Sequence, residues 1–167
     1  MMPATYEPIS TQTLGSAQSS VSLTSISQAY TDLVLVITPI VTSSTTFAIR
    51  YNGVSTGTPY SSIRVTGDGT SAATSLNSGA NEVRISYIAT SRTTNTSNII
   101  VNIMNYSNST TNKTSLAREN CSTEGTGAAV GMWRSTAAIT QIDLIPLSGG
   151  TIINTGTVVT LYGIKAA

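Results

Sequence analysis

Apolar residues along this chain recur with period two, or in short runs, and almost nowhere at the three-and-four spacing that gives a helix one apolar stripe. Val21 and Leu23 alternate with polar neighbours, as do Phe47, Ile49 and Tyr51, then Val83, Ile85 and Tyr87, then Ile99, Val101 and Ile103. A strand turns successive side chains to opposite faces, so this spacing predicts half-buried strands. Leu33-Val34-Leu35-Val36-Ile37 is continuously apolar, the pattern of a strand covered on both faces, and is expected at the centre of a sheet. Tyr60 to Thr66 is read as a strand with Ile63 and Val65 inward. Ile100, Met104 and Tyr106 lie opposite Ile99, Val101 and Ile103, so both faces of that segment are expected to touch protein. Ala128 to Trp133, Ile139 to Leu147 and Val158 to Ile164 complete the set.

Turn chemistry separates these segments. Asn52-Gly53 tolerates positive φ at both residues, and Ser148-Gly149-Gly150-Thr151 joins the last two strands. Gly67-Asp68-Gly69 ends a strand, and the small, aperiodic stretch Thr70 to Ala80 reads as a long surface loop. Asn105 to Asn120 reads as a loop or a short edge strand. The sum is an all-β chain, an antiparallel, jelly-roll-like β-sandwich of about eight to ten strands with little or no helix. Its 167 residues suit one core. Residues 1–9, which carry two prolines, are set apart as an extended N-terminal arm, and residues 10–167 as a single sandwich domain.

Charge narrows the function. Lys and Arg number 8 against 7 Asp and Glu, a net +1, and only 9% of residues are charged. No basic cluster exists to neutralise phosphates, so nucleic acid is not expected as a partner. The polar surface is made of hydroxyls instead, Ser and Thr being about a third of the chain. There is no histidine, which removes the commonest general base and the commonest zinc ligand together. The longest apolar run, Leu33 to Ile37, is too short for a membrane-spanning helix, and Met1 to Pro8 lacks the basic and apolar regions of a secretory signal. A soluble product made in the cytoplasm is expected, with no membrane and no cofactor.

The residues that carry chemistry have plain structural readings. Nothing in the spacing of Glu7, Asp32, Asp68, Glu82, Glu119, Glu124 and Asp143 selects a catalytic pair, and Asp32 and Asp143 are expected to cap backbone amides or pair with arginine. Gly67-Asp68-Gly69-Thr70-Ser71 lacks the lysine of a phosphate loop and the spaced acids of a calcium loop. No enzyme is expected, and no metal. The single cysteine, Cys121, has no histidine to activate it and reads as a passive thiol. The sequons at Asn95, Asn105, Asn108, Asn112 and Asn120 follow from composition. Trp133 is expected in the core beside Val130 and Met132, although Tyr51, Tyr60, Tyr87 and Tyr106 near strand ends allow a sugar-stacking face.

Several segments carry a family resemblance. Pro3-Ala4-Thr5-Tyr6-Glu7-Pro8-Ile9, Ile26-Ser27-Gln28-Ala29-Tyr30-Thr31-Asp32-Leu33-Val34-Leu35 and Val159-Thr160-Leu161-Tyr162-Gly163-Ile164-Lys165 resemble small virion proteins of tailed bacteriophages, common in aquatic phages. Tyr51-Asn52-Gly53 with Tyr60-Ser61-Ser62, and Gly131-Met132-Trp133 ahead of Thr140-Gln141-Ile142, are similar too. The resemblance implies a structural protein of the particle with no enzymatic site. The expectation is a decoration or cement subunit on the capsid, with the major capsid protein or other virion proteins as partners and a homotrimer as first guess. Pro3, Tyr6, Pro8 and Ile9 are the expected partner-binding residues of the arm. The alternative is a tail or fibre module touching host glycans through Thr70 to Ala80 and Asn105 to Asn120.

Overall fold

The computed structural model describes residues 5–86, 97–122, 125–150 and 152–165. Pro3, Tyr87, Glu124 and Asn95 lie outside the described residues. The described residues form strands and no helix: β1 (Tyr6–Thr13), β2 (Val21–Leu23), β3 (Asp32–Thr38), β4 (Phe47–Tyr51), β5 (Tyr60–Gly67), β6 (Ala72–Ala80), β7 (Val83–Arg84), β8 (Ser97–Met104), β9 (Lys113–Cys121), β10 (Gly125–Trp133), β11 (Ile142–Pro146) and β12 (Val158–Ile164). They build an antiparallel sandwich of two unequal sheets. The 8-stranded sheet runs β1-β12-β3-β8-β9-β10-β5-β6, and the 4-stranded sheet runs β2-β11-β4-β7.

The expected sandwich is therefore present, with more strands than the turn signals suggested. β3 sits inside the large sheet between β12 and β8, as its continuous apolar run requires. β4 ends at Asn52 and Gly53, both at positive φ. The core lies between the sheets. Val21, Leu23, Phe47, Ile49, Ile142 and Leu144 of the small sheet form one cluster with Leu33, Leu35, Ile37, Ile99, Val101, Ile103, Val159 and Leu161 of the large one. At one end Tyr51, Tyr60 and Trp133 pack with ring centroids 5.5 to 6.3 Å apart. The Tyr60 hydroxyl accepts from the Tyr51 amide at 3.0 Å and donates to the Val54 carbonyl. Trp133 is in the core, as expected, but Val130 and Met132, expected beside it, face the other side of the sheet because alternate residues of a strand point to opposite faces.

Four further expectations fail, each for a physical reason. Thr70 to Ala80 is no loop: only Asp68 to Ser71 turn, and β6 follows, paired along β5 from Gly67↔Ala72 to Tyr60↔Ala80. Small polar residues gave no periodic signal, yet backbone pairing needs none. Asn105 to Asn120 is likewise mostly β9, which lies between β8 and β10 inside the sheet. Its inward positions Lys113, Ser115, Ala117 and Glu119 are too polar for the alternation to be visible. Residues 6–9 do not form an arm. Tyr6 to Thr13 pairs with β12 as the edge strand β1, with a bulge between Pro8 and Ser10. Proline is tolerated there because an edge strand leaves alternate amides unpaired.

The fourth correction matters most for function. In β5 the inward residues are Tyr60, Ser62 and Arg64, whereas Ile63 and Val65 face away from the core.

Candidate docking face

The register of the large sheet places residues from different strands side by side on its outer surface. Leu76 pairs with Ile63, Ile63 with Val130, Val130 with Leu116, and Leu116 with Asn102. Asn102 then pairs with Val34, Val34 with Tyr162, and Tyr162 with Pro8. One row of side chains thus crosses all the strands, roughly 35 Å at the usual inter-strand spacing. A parallel row runs Thr74, Val65, Ala128, Arg118, Ile100, Val36, Thr160 and Thr11. Met132 and Met104 flank Thr114 in a third.

These apolar side chains are open to solvent. Leu76 is 74% exposed, Val65 52%, Val130 51%, Ile63 50% and Met104 48%. Isolated exposed hydrophobes are ordinary, but a contiguous apolar field on a sheet marks a surface that meets another molecule. Two shallow grooves shape it. One of about 380 Å³ is lined by Val36, Asn98, Ile100, Arg118, Glu119 and Asn120. The other, about 290 Å³, is bounded by Ile63, Leu76, Thr114, Val130 and Met132.

Charge is segregated away from this face. Among the outward positions of the large sheet's strands, Arg118 in the middle and Asp32 at the margin are the charged residues. The Asp32 carboxylate accepts from the Asn105 amide at 2.7 Å, the backbone-capping role expected of it. The small sheet instead turns Ser22, Arg50 and Asp143 outward across neighbouring strands. There Asp143 accepts from the Ser22 hydroxyl at 2.6 Å and from Gln141, taking side-chain donors where a backbone amide or arginine was expected. Arg50 reaches Glu82 at 3.7 Å.

The remaining candidates are structural. Glu7 accepts from Lys165 Nζ at 2.8 Å and from the Tyr30 hydroxyl. Lys165 foremost, then Tyr30, hold the Glu7 carboxyl below the usual glutamate range. Tyr30 itself lies over Gly163, where a Cβ would collide with its ring. Asp68 accepts from the amides of Ser71 at 2.7 Å and Thr70 at 2.8 Å, and those bonds hold its carboxyl well below the usual aspartate range. This is an Asx-type turn, as the Gly67-Asp68-Gly69 reading implied. No group of metal-ligating side chains occurs among the described residues. Cys121 is buried.

Of the expected partner-binding residues, Tyr6 and Pro8 do reach the outer face, at its β1 margin, while Ile9 packs against the core. Of the tyrosines read as a possible sugar-stacking face, Tyr51, Tyr60 and Tyr106 are buried, as is Trp133, and Tyr87 lies outside the described residues. Sequence reasoning missed the central residues Ile63, Val65, Leu76, Leu116 and Val130. In β5 and β10 both alternating sets contain bulky residues, so periodicity alone left the direction open.

No protein-family model and no curated protein matches the chain. Among solved structures it is similar to galectin LEC-6 of Caenorhabditis elegans, with 10% identity over 93% of this chain and 96% of that one and a TM-score of 0.36. It is also similar to SO2946 of Shewanella oneidensis MR-1, a protein of unknown function, with 8% identity over 97% and 77% of the two chains and a TM-score of 0.30.

Proposed function

We propose that this chain is a non-enzymatic structural protein of a bacteriophage particle, a decoration or cement subunit that lays the outer face of its 8-stranded sheet against the capsid surface. The observation that carries the reading is the exposed apolar row from Leu76 through Ile63, Val130 and Leu116, on a face whose polar groups are nearly all neutral. Such a face gains from leaving water and desolvates few ions, and the Thr and Asn side chains around it supply neutral hydrogen bonds. The phage resemblance of the segments at both ends of the chain supplies the partner, the major capsid protein. The mechanism is mechanical: each bound copy buries contact area across neighbouring capsomers, and that area must be re-exposed before the shell expands.

The test is localisation followed by disruption. Cryo-electron microscopy of purified particles is expected to show the subunit on heads; density confined to tails, or its absence from particles, contradicts the proposal. Ile63→Glu and Val130→Glu are expected to lose incorporation at least tenfold while remaining folded. Thr24→Glu, beside the small sheet, is expected to leave incorporation unchanged.

A further inference from the structure

The two edges of the large sheet are built differently. β1 carries Pro8, a bulge at Ile9 and the Glu7–Lys165 ion pair, all devices that stop another strand from adding to an edge. β6 has neither the proline nor the ion pair, and its one bulge, at Gly79, lies at its end and leaves Ala72 to Ser78 in regular register. It runs Ala-Ala-Thr-Ser-Leu-Asn-Ser-Gly-Ala without a charge or proline, and its side chains are mostly exposed. Among the described residues its outer side has no strand partner. A long neutral edge of this kind presents alternate N–H and C=O groups to the next strand that arrives.

We infer that β6 pairs antiparallel with β6 of a second copy, across a two-fold axis at Leu76. Three features of the strand favour its own copy. Leu76 is its middle residue and the most exposed large hydrophobe of the face, and on the axis it packs against itself. The register then sets Thr74 opposite Ser78 of the second copy, two small hydroxyl residues, and Ser75 opposite Asn77. With no charge from Ala72 to Ala80, like meets like without repulsion, which an isologous contact requires. Pairing also joins the two outer faces, so that the row Leu76, Ile63, Val130, Leu116 continues into the same row of the second copy. The positive φ of Gly79 bends the strand's end and confines the ladder to its central part. This pairing concerns the sheet edge and does not depend on what the outer face meets.

The unmodified protein is expected to sediment as a dimer of 17.3 kDa chains at micromolar concentration. Leu76→Lys and Leu76→Glu each set like charges against one another on the axis and are expected to be monomers with unchanged near-ultraviolet circular dichroism. Mixed in equal amounts they are expected to form a one-to-one heterodimer. A monomeric unmodified protein overturns the inference, as does a trimer, since a three-fold ring needs two different edges. So does a dimer indifferent to both substitutions, or a mixture of the two variants that stays monomeric.

Discussion

Lys113 shows how far a single residue departs from its sequence reading. It lies in an Asn, Ser and Thr stretch that reads as surface, yet it is 1% exposed. Its ammonium donates to the carbonyls of Asn108, Thr111 and Thr136 at 2.6 to 3.1 Å, tying the β8–β9 turn to the segment after β10. Burial pushes its pKa down, while the three carbonyls satisfy its three protons. Lys113→Met leaves those carbonyls unpaired and is expected to cost about 3 kcal/mol in urea unfolding, where an exposed lysine would cost almost nothing. Glu7 gives a pH signature. Its folded pKa lies below the unfolded value, so its contribution is complete above about pH 5 and fades as pH falls through the lowered value. The melting temperature of the unmodified protein is expected to exceed that of Glu7→Gln at pH 7, with the gap closing towards pH 3. Neither partnership was legible: Glu7 and Lys165 lie 158 positions apart, and the carbonyls that hold Lys113 are main-chain groups that any residue carries, two of them within five positions of it.

At the scale of strands, the legible elements were those whose side chains declare a face. β3, β4 and β12 have large apolar residues at alternate or continuous positions, and the structure puts them where the pattern does. β8 was legible as a strand, but of its large apolar residues only Ile99, Val101 and Ile103 are buried, while Ile100 and Met104, expected to touch protein as well, look out from the open face of the large sheet. β6 and β9 were obscured because main-chain ladders hold them while small or polar side chains occupy both faces. β5 was legible as a strand but reversed in direction. Its inward side meets β7, where Val83 fills the space over Gly131 of the neighbouring β10, so Ser62 fits inward and Ile63 is left outside. A Cβ at Gly131 would collide with Val83 Cγ1, and Gly131→Ala is accordingly expected to destabilise by about 2 kcal/mol, or roughly 5 °C in melting temperature. Deleting residues 1–9 strips half of β1 from β12 and removes Ile9 from the core margin. The truncated protein is expected to melt several degrees lower and to aggregate through the bared edge of β12. An unchanged melting temperature would restore the arm.

On the whole molecule, the two outer faces divide the work of the surface. The small sheet carries Arg50, Asp143 and their partners, and the large sheet carries the apolar rows. That division follows from the sandwich, which needs only one apolar face per sheet, so a second apolar face on the same sheet is surplus to folding. The low charge and absent histidine were legible at once and pointed to a surface that works by contact; which surface became visible only when register set Leu76, Ile63, Val130 and Leu116 in line. Docking through it is expected to change less than threefold between 0.1 and 1 M salt, because few charges take part. The most direct check uses Met104 and Met132, which both lie on this face. Peroxide oxidation of the two is to be followed by mass spectrometry in the free protein and in purified particles. Burial of the face predicts at least tenfold slower oxidation of both in the particle; equal rates in the two states would show a face still open to water and contradict the account.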